Sequence, residues 1–197
     1  MLFRSRGQVY WLKVYEVPQG SRVSRGKPIV NLFPLMPGEK INAILAVKDF
    51  VDDQFIFMAT SKGTVKKTPL SDFSNPRKSG IIAIKLDNGD YLIGAGVTNG
   101  EQDIVLVSDG GKAVWFDEND VRSMGRNARG VRGMKLTDNH QVLSLLIASS
   151  DTESVLVATE NGFGKRTVLS EFRRSGRGTQ GVKAIQVSDR NGVVVAA

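Results

Sequence analysis

Asp103-Ile104-Val105-Leu106-Val107-Ser108-Asp109-Gly110-Gly111-Lys112-Ala113-Val114-Trp115-Phe116 joins a β-branched apolar run to a Gly-centred turn and a second strand that opens on lysine. The shortness of the run, its Ile and Val content and its bounding turn residues predict a buried strand feeding a hairpin. The arrangement recurs. Ile56-Phe57-Met58-Ala59-Thr60 runs into Ser61-Lys62-Gly63-Thr64-Val65, and Ser154-Val155-Leu156-Val157-Ala158-Thr159 into Glu160-Asn161-Gly162-Phe163-Gly164-Lys165. Ser5-Arg6-Gly7-Gln8-Val9 supplies a fourth turn. Gly7, Gly63, Gly111 and Gly162 are separated by 56, 48 and 51 residues, and a second series, Gly26, Gly80, Gly130 and Gly181, by 54, 50 and 51. Two landmarks with one shared period identify an array of repeats.

The rest of the period reads as strands too. A more polar strand follows each turn (65–68, 113–116, 165–168), then an acid before an apolar residue at Asp72-Phe73, Asp120-Val121 and Glu171-Phe172. After a basic loop the chain re-enters strand at 80–84, 130–134 and 181–185, and a polar turn leads to a last apolar strand at 91–97, 142–148 and 193–197. No sustained 3.6-residue stripe is present. The expected fold is all-β, a propeller-like β-pinwheel of four-stranded blades of about fifty residues each. It would form one domain over 1–197, with blades near 1–54, 55–101, 102–151 and 152–197. The first unit diverges most, since it carries the extra turn Phe33-Pro34-Leu35-Met36-Pro37-Gly38.

Charge follows the array. The 197-residue chain has a formal net charge of +7 and a pI near 9.8. Windows 4–27, 62–85, 112–135 and 165–183 each hold six Lys or Arg, 24 of the 27 in the chain, whereas 14 of the 20 acids lie outside them. Charges placed for solubility alone would be mixed in sign. Stacked units would instead line their basic ends into a stripe suited to a polyanion, nucleic acid above all. The residues expected to contact DNA are Arg22, Arg25, Lys27, Lys66, Lys67, Arg77, Lys78, Lys112, Arg122, Arg126, Arg129, Arg132, Lys165, Arg166, Arg173, Arg174, Arg177 and Lys183.

Other chemistry finds little support. With no Cys, disulfides and thiolate metal sites are excluded, and a reducing, cytoplasmic setting is expected. No apolar run approaches the roughly 20 residues that span a bilayer, and Met1-Leu2-Phe3-Arg4-Ser5-Arg6 lacks the core of a secretory signal. The one histidine, His140, has no second His for a metal site and reads as an exposed turn residue. Gly162-Phe163-Gly164-Lys165-Arg166-Thr167 resembles a phosphate loop, but Thr159 stands where its first Gly should be, and Arg166 follows the lysine. Gly94 to Gly100 misplaces the third Gly of a dinucleotide fingerprint. Asp52-Asp53 and Asp117-Glu118 read as solvated turn charges, and Trp11 and Trp115, at matching positions, as packing between blades. No catalytic constellation, metal or cofactor is expected.

These segments resemble a known family, the C-terminal DNA-wrapping domain of the bacterial DNA gyrase A subunit. The resemblance rests on Gly26-Lys27-Pro28-Ile29-Val30-Asn31-Leu32, Met58-Ala59-Thr60 through Gly63-Thr64-Val65-Lys66-Lys67-Thr68, Gly130-Val131-Arg132-Gly133 and Asn161-Gly162-Phe163-Gly164-Lys165-Arg166-Thr167. It implies a β-pinwheel whose neighbouring blades exchange a strand, with duplex DNA bent around a basic rim. The chain would be an interior piece of about four blades, since a family member continues beyond Val195-Ala196-Ala197. The family heptapeptide Gln-Arg-Arg-Gly-Gly-Lys-Gly is missing. Arg77-Lys78-Ser79-Gly80, Arg126 to Gly130 and Arg177 to Gly181 are degenerate counterparts.

By the same resemblance, the partners are double-stranded DNA, the gyrase B subunit, and the remainder of the gyrase A polypeptide. In that holoenzyme, which supercoils DNA negatively on the chromosome, ATP and Mg2+ would act elsewhere. Two alternatives stay open: the C-terminal domain of topoisomerase IV, and a repeat propeller that binds acidic proteins.

Overall fold

The computed structural model describes residues 1–137 and 139–197, so Asp138 of the expected 137–140 turn lies outside the described residues. Among these there is no α-helix. In chain order the strands are β1 (Leu2–Arg4), β2 (Gln8–Tyr10), β3 (Ile41–Ile44), β4 (Phe55–Thr60), β5 (Thr64–Pro69), β6 (Ile81–Ile82), β7 (Leu92–Thr98) and β8 (Asp103–Ser108). They continue as β9 (Lys112–Asp117), β10 (Val131–Arg132), β11 (Val142–Ala148), β12 (Ser154–Thr159), β13 (Gly164–Val168), β14 (Val182–Lys183) and β15 (Val194–Ala196).

Each Gly turn closes an antiparallel hairpin: β1 with β2, β4 with β5, β8 with β9 and β12 with β13. The turn glycine donates its N–H to the carbonyl three residues back, at 2.9 Å for Gly7 and 3.0 Å for Gly63, Gly111 and Gly162. All four have φ between 73° and 82°. That left-handed conformation costs a residue with a Cβ about 1–2 kcal/mol, hence the recurring glycine.

The last strand of each repeat pairs on the far side of its own hairpin: β3 on β1, β7 on β4, β11 on β8 and β15 on β12. A sheet's fourth strand comes from the next repeat. β6 joins β2, β10 joins β5 and β14 joins β9. Three sheets thus have four strands, while the last has three, β13-β12-β15. This is the strand exchange of a propeller-like β-pinwheel.

The re-entry segments form strands of only two residues, shorter than their apolar runs suggest. Beyond the second residue, two successive N–H groups turn onto one carbonyl and leave the ladder. Ala83 and Ile84 donate to Gly7 O, Gly133 and Met134 to Gly63 O, and Ala184 and Ile185 to Gly111 O, at 2.8–3.3 Å. The second glycine series faces this contact. A Cβ on Gly80 would meet the Tyr10 ring, one on Gly130 the Val65 carbonyl, and one on Gly181 the Ala113 carbonyl. The two series are therefore the two halves of one joint, 7 with 80, 63 with 130 and 111 with 181.

The core lies between successive sheets. Phe3 and Val9 of the first share a cluster with Ile56, Met58, Leu70 and Phe73. Phe57 and Val65 share one with Leu106, Val114 and Phe116, and Val105 and Trp115 one with Val157, Leu169 and Phe172. Phe3, Phe57, Phe73 and Phe116 are among the largest wholly buried side chains. Each such burial contributes about 1.5–3 kcal/mol, and all of it is shared across a joint. β4 and β8 are buried almost throughout, as expected, but β12 alternates, because no further sheet covers its outer face among the described residues. β3, β7 and β11 pack side by side, with β15 following β11. The sheets meet along that edge, whereas on the opposite edge, where β6, β10 and β14 lie, no comparable packing joins these strands to one another among the described residues, so the sheets diverge there.

Candidate nucleic-acid interface

Loops 74–80, 122–130 and 173–181 lead directly into β6, β10 and β14, so they lie along the diverging edge. They carry Arg77 and Lys78, then Arg122, Arg126 and Arg129, then Arg173, Arg174 and Arg177; all are exposed except half-buried Arg126 and Arg174's neighbour-shielded face over Trp115. Arg132 and Lys183 extend the row on the exchange strands. Lys183 stands directly opposite half-buried Lys112 across the β9–β14 ladder. Like charges so placed repel, a cost that a bound anion would offset.

Some of these cations already have partners. Arg129 pairs with Asp87 at 3.0 Å, both side chains being mostly exposed. Arg174 reaches Asp103 and Asp117, the latter at 3.1 Å, and lies over the Trp115 ring. Arg177 donates to Asp120 O at 2.7 Å and Arg132 O at 3.2 Å. Exposed ion pairs contribute about 0–1 kcal/mol, so a phosphate competes for them readily. Among the described residues Arg77, Lys78, Arg122, Arg126, Arg132 and Arg173 pair with no carboxylate.

Lys66 and Lys67 depart from the expectation. Both are buried on β5, because the next repeat closes over that strand. The Lys66 ammonium donates to Ala83 O at 2.7 Å and to Arg126 O, and burial lowers its pKa to about 8, with Asp72 opposing and Arg126 reinforcing the shift. Lys67 lies 2.9 Å from Glu118 Oε2 and 3.0 Å from Asn119 Oδ1. The Glu118 carboxylate also accepts from Thr98 Oγ1 at 2.7 Å, Gly100 N at 2.8 Å and Gln102 N at 3.0 Å. Reading Asp117-Glu118 as solvated turn charges therefore fails for Glu118, which is wholly buried. It stands on the inner side of a joint, opposite a lysine. Lys165 and Arg166, at the corresponding places on β13, are exposed.

Arg22, Arg25 and Lys27 lie on residues 13–31, which are exposed throughout and join no sheet. Their segment enters no exchange strand. Conversely, Lys62 and Lys85 escaped the sequence reading. With Arg129, Arg132, Asp87 and Asp90 they line a notch of about 330 Å³ between the second hairpin turn and the third repeat. The usable signal was periodic: Lys85 and Lys135 each follow a joint glycine by five residues.

His140 Nδ1 lies 2.8 Å from Asp109 Oδ1, and the described residues contain no cluster of three metal-ligating side chains. No helix of the described residues is long and apolar enough to cross a membrane.

Sheets stitched by exchanged strands, with cations along the diverging edge, define a β-pinwheel repeat with a basic outer rim. The family described as "DNA gyrase C-terminal domain, beta-propeller" matches residues 5–48, 54–99, 102–149 and 153–197, and the chain belongs to it. It is 51% identical over all of its 197 residues to the DNA gyrase A subunit of Klebsiella oxytoca and 49% identical to that of Escherichia coli (strain K12). It spans 22% of the length of each of these relatives.

Among solved structures, the C-terminal domain of DNA topoisomerase IV superposes with a TM-score of 0.89 at 31% identity, covering 100% of this chain and 62% of that one. A DNA gyrase A C-terminal domain gives 0.79 at 28%, covering 98% and 62%. The structural overlap is higher for topoisomerase IV, and the curated sequence likeness is to gyrase. The two C-terminal domains share the fold, so the family match and the 51% identity to a gyrase polypeptide decide the assignment.

Proposed function

We propose that this chain binds duplex DNA along its diverging edge and bends it, largely without regard to sequence, as an accessory domain of a type IIA topoisomerase. The observation that carries the reading is the row of mostly exposed Arg and Lys on loops that each enter an exchange strand, of which Arg77, Lys78, Arg122 and Arg173 are exposed with no carboxylate partner among the described residues. Cations so arranged neutralise phosphates and release condensed counterions, which positions a duplex without reading it. No recognition helix is offered to the major groove among the described residues. Bending costs on the order of 1–6 kcal/mol per 20–30 base pairs, which a curved row of contacts must offset.

Within a whole gyrase A polypeptide, bound to gyrase B subunits and acting in the cytoplasm on the chromosome, such bending presents a DNA segment for ATP-driven negative supercoiling. The nucleophile, Mg2+ and ATP belong to other parts of that assembly, and this chain performs no chemistry itself.

The test is a salt titration of DNA binding. Arg77→Ala with Lys78→Ala should lower the slope of log K against log salt by about one per contact, equally for unrelated sequences. Binding should also strengthen with DNA length up to the span of the rim. An unchanged slope and indifference to length would overturn the proposal.

A further inference from the structure

In the notch between the second hairpin turn and the third repeat, cations of two repeats surround a common space of about 330 Å³. Lys62 comes from the turn, Lys85 from the segment after β6, and Arg129 and Arg132 from the loop and exchange strand of the third repeat. The backbone fixes their approach. Lys85 N donates to Ala128 O at 3.4 Å, and Arg132 stands opposite Thr64 across the β5–β10 ladder. All four residues are exposed, and Lys62, Lys85 and Arg132 pair with no carboxylate among the described residues. A space of this volume lies at the small end of ligand pockets, suited to one group rather than to a length of duplex.

Two carboxylates share the notch, and they differ in kind. Asp90 is spent on the hairpin turn: its Oδ1 accepts from Ser61 Oγ at 2.8 Å and from Lys62 N and Tyr91 N at 2.9 Å, and the residue is buried. Asp87 is exposed, and its carboxylate has one partner among the described residues, Arg129 of the next repeat at 3.0 Å. Both members of that pair are peculiar to this joint. One residue before the joint glycine stand Ser79, Arg129 and Gln180, and seven residues past the preceding joint glycine stand Phe33, Asp87 and Thr137. Four cations thus face one carboxylate that nothing but Arg129 engages.

We propose that the notch is a site for one phosphate group, and that Asp87 is an internal anion which the phosphate displaces from Arg129. The proposal deepens the reading of the rim and rests on it for the source of the phosphate, the backbone of a bound duplex. A phosphate offers more acceptor oxygens than a carboxylate and takes a guanidinium in bidentate fashion, while Lys62, Lys85 and Arg132 supply charge from the other sides. The displaced ion pair is exposed and screened by solvent, so little opposes the exchange. Once displaced, Asp87 remains beside the site and repels its occupant. It therefore weakens the grip of this joint, and a neutral residue in its place grips harder.

The experiment uses the full-length protein and measures duplex affinity, its salt slope, and hydrogen exchange at the amides of 61–64 and 128–132. Asp87→Asn should tighten DNA binding about threefold to fivefold. That gain should vanish in an Arg129→Ala background, and Asp52→Asn, on a turn outside the notch, should not reproduce it. Lys62→Ala, Lys85→Ala and Arg132→Ala combined should lower the salt slope by about one in total, because the three share one phosphate. Inorganic phosphate, added without DNA, should slow exchange at the same amides in the wild type and less in the triple variant. Protection by phosphate with DNA binding unmoved by every variant would support the site and assign it to a free anion. A gain that persists in Arg129→Ala or is matched by Asp52→Asn, a slope lowered by about three, or amides indifferent to both DNA and phosphate would each overturn the proposal. So would faster exchange in Asp87→Asn without tighter binding, the mark of a structural brace. The phosphate arm needs no DNA, so failure of the rim reading is told apart from failure of the site.

Discussion

The joint between the second and third sheets and the joint between the third and fourth share one backbone plan and differ in what they bury. At the first, the Lys67 ammonium and the Glu118 carboxylate meet inside the protein, and the carboxylate takes four donors in all. At the second, Trp115 and Leu169 pack in an apolar cluster, and the buried indole N–H of Trp115 has no acceptor among the described residues. An ion pair with a fully engaged carboxylate and a mainly apolar contact can thus fill the same position. What each forbids is exchange of one partner alone, because a single change strands a buried charge.

The most direct way to break the comparison is Glu118→Leu, which imitates the apolar joint on one side only. It should destabilise the domain by about 3–5 kcal/mol in urea unfolding, since Lys67 would remain buried and uncompensated. Adding Lys67→Trp should recover much of that loss, with a coupling energy of about 1–3 kcal/mol; simple additivity would refute the pairing of the two residues.

Lys66 gives the next effect through pH. Its folded pKa is about 8 against an ordinary 10.5, so between those values the unfolded chain holds more protons. Stability from this group therefore rises as pH climbs from about 8 to 10.5. Lys66→Met should flatten that rise, seen as the difference between the two proteins' unfolding midpoints across the range.

Gly63→Ala and Gly162→Ala sharpen the contrast between closed and open edges. Both residues have φ of +82°, but only at Gly63 would the new methyl lie 2.6 Å from a carbonyl, that of Met134. In this chain Gly63→Ala should cost about 1–3 kcal/mol more than Gly162→Ala by thermal unfolding. The smallest effect is expected from Arg174→Ala, since this half-exposed side chain pairs with half-exposed Asp117 and with the more buried Asp103, and stability should shift by about 1 kcal/mol.

Repeat number, hairpins and the all-β class were legible because glycine and the Ile- and Val-rich runs report local backbone geometry. Which sheet a strand joins was not, because Ile81–Ile82 or Val131–Arg132 look the same whether they add to their own hairpin or the preceding one. The row of loop arginines was readable from charge windows. Lys66 and Lys67 misled for the same reason: a lysine beside a turn looks exposed until the next repeat is laid over it. Glu118 shows the reverse, since nothing local separates it from the half-exposed Asp117 one residue earlier.

Every closed joint hangs on a glycine carbonyl that accepts two consecutive amides of the neighbouring repeat. The step from one sheet to the next is accordingly dictated by main-chain geometry and not by any particular side chain. Side chains on the loops that enter the exchange strands can therefore be replaced without altering the step from one sheet to the next.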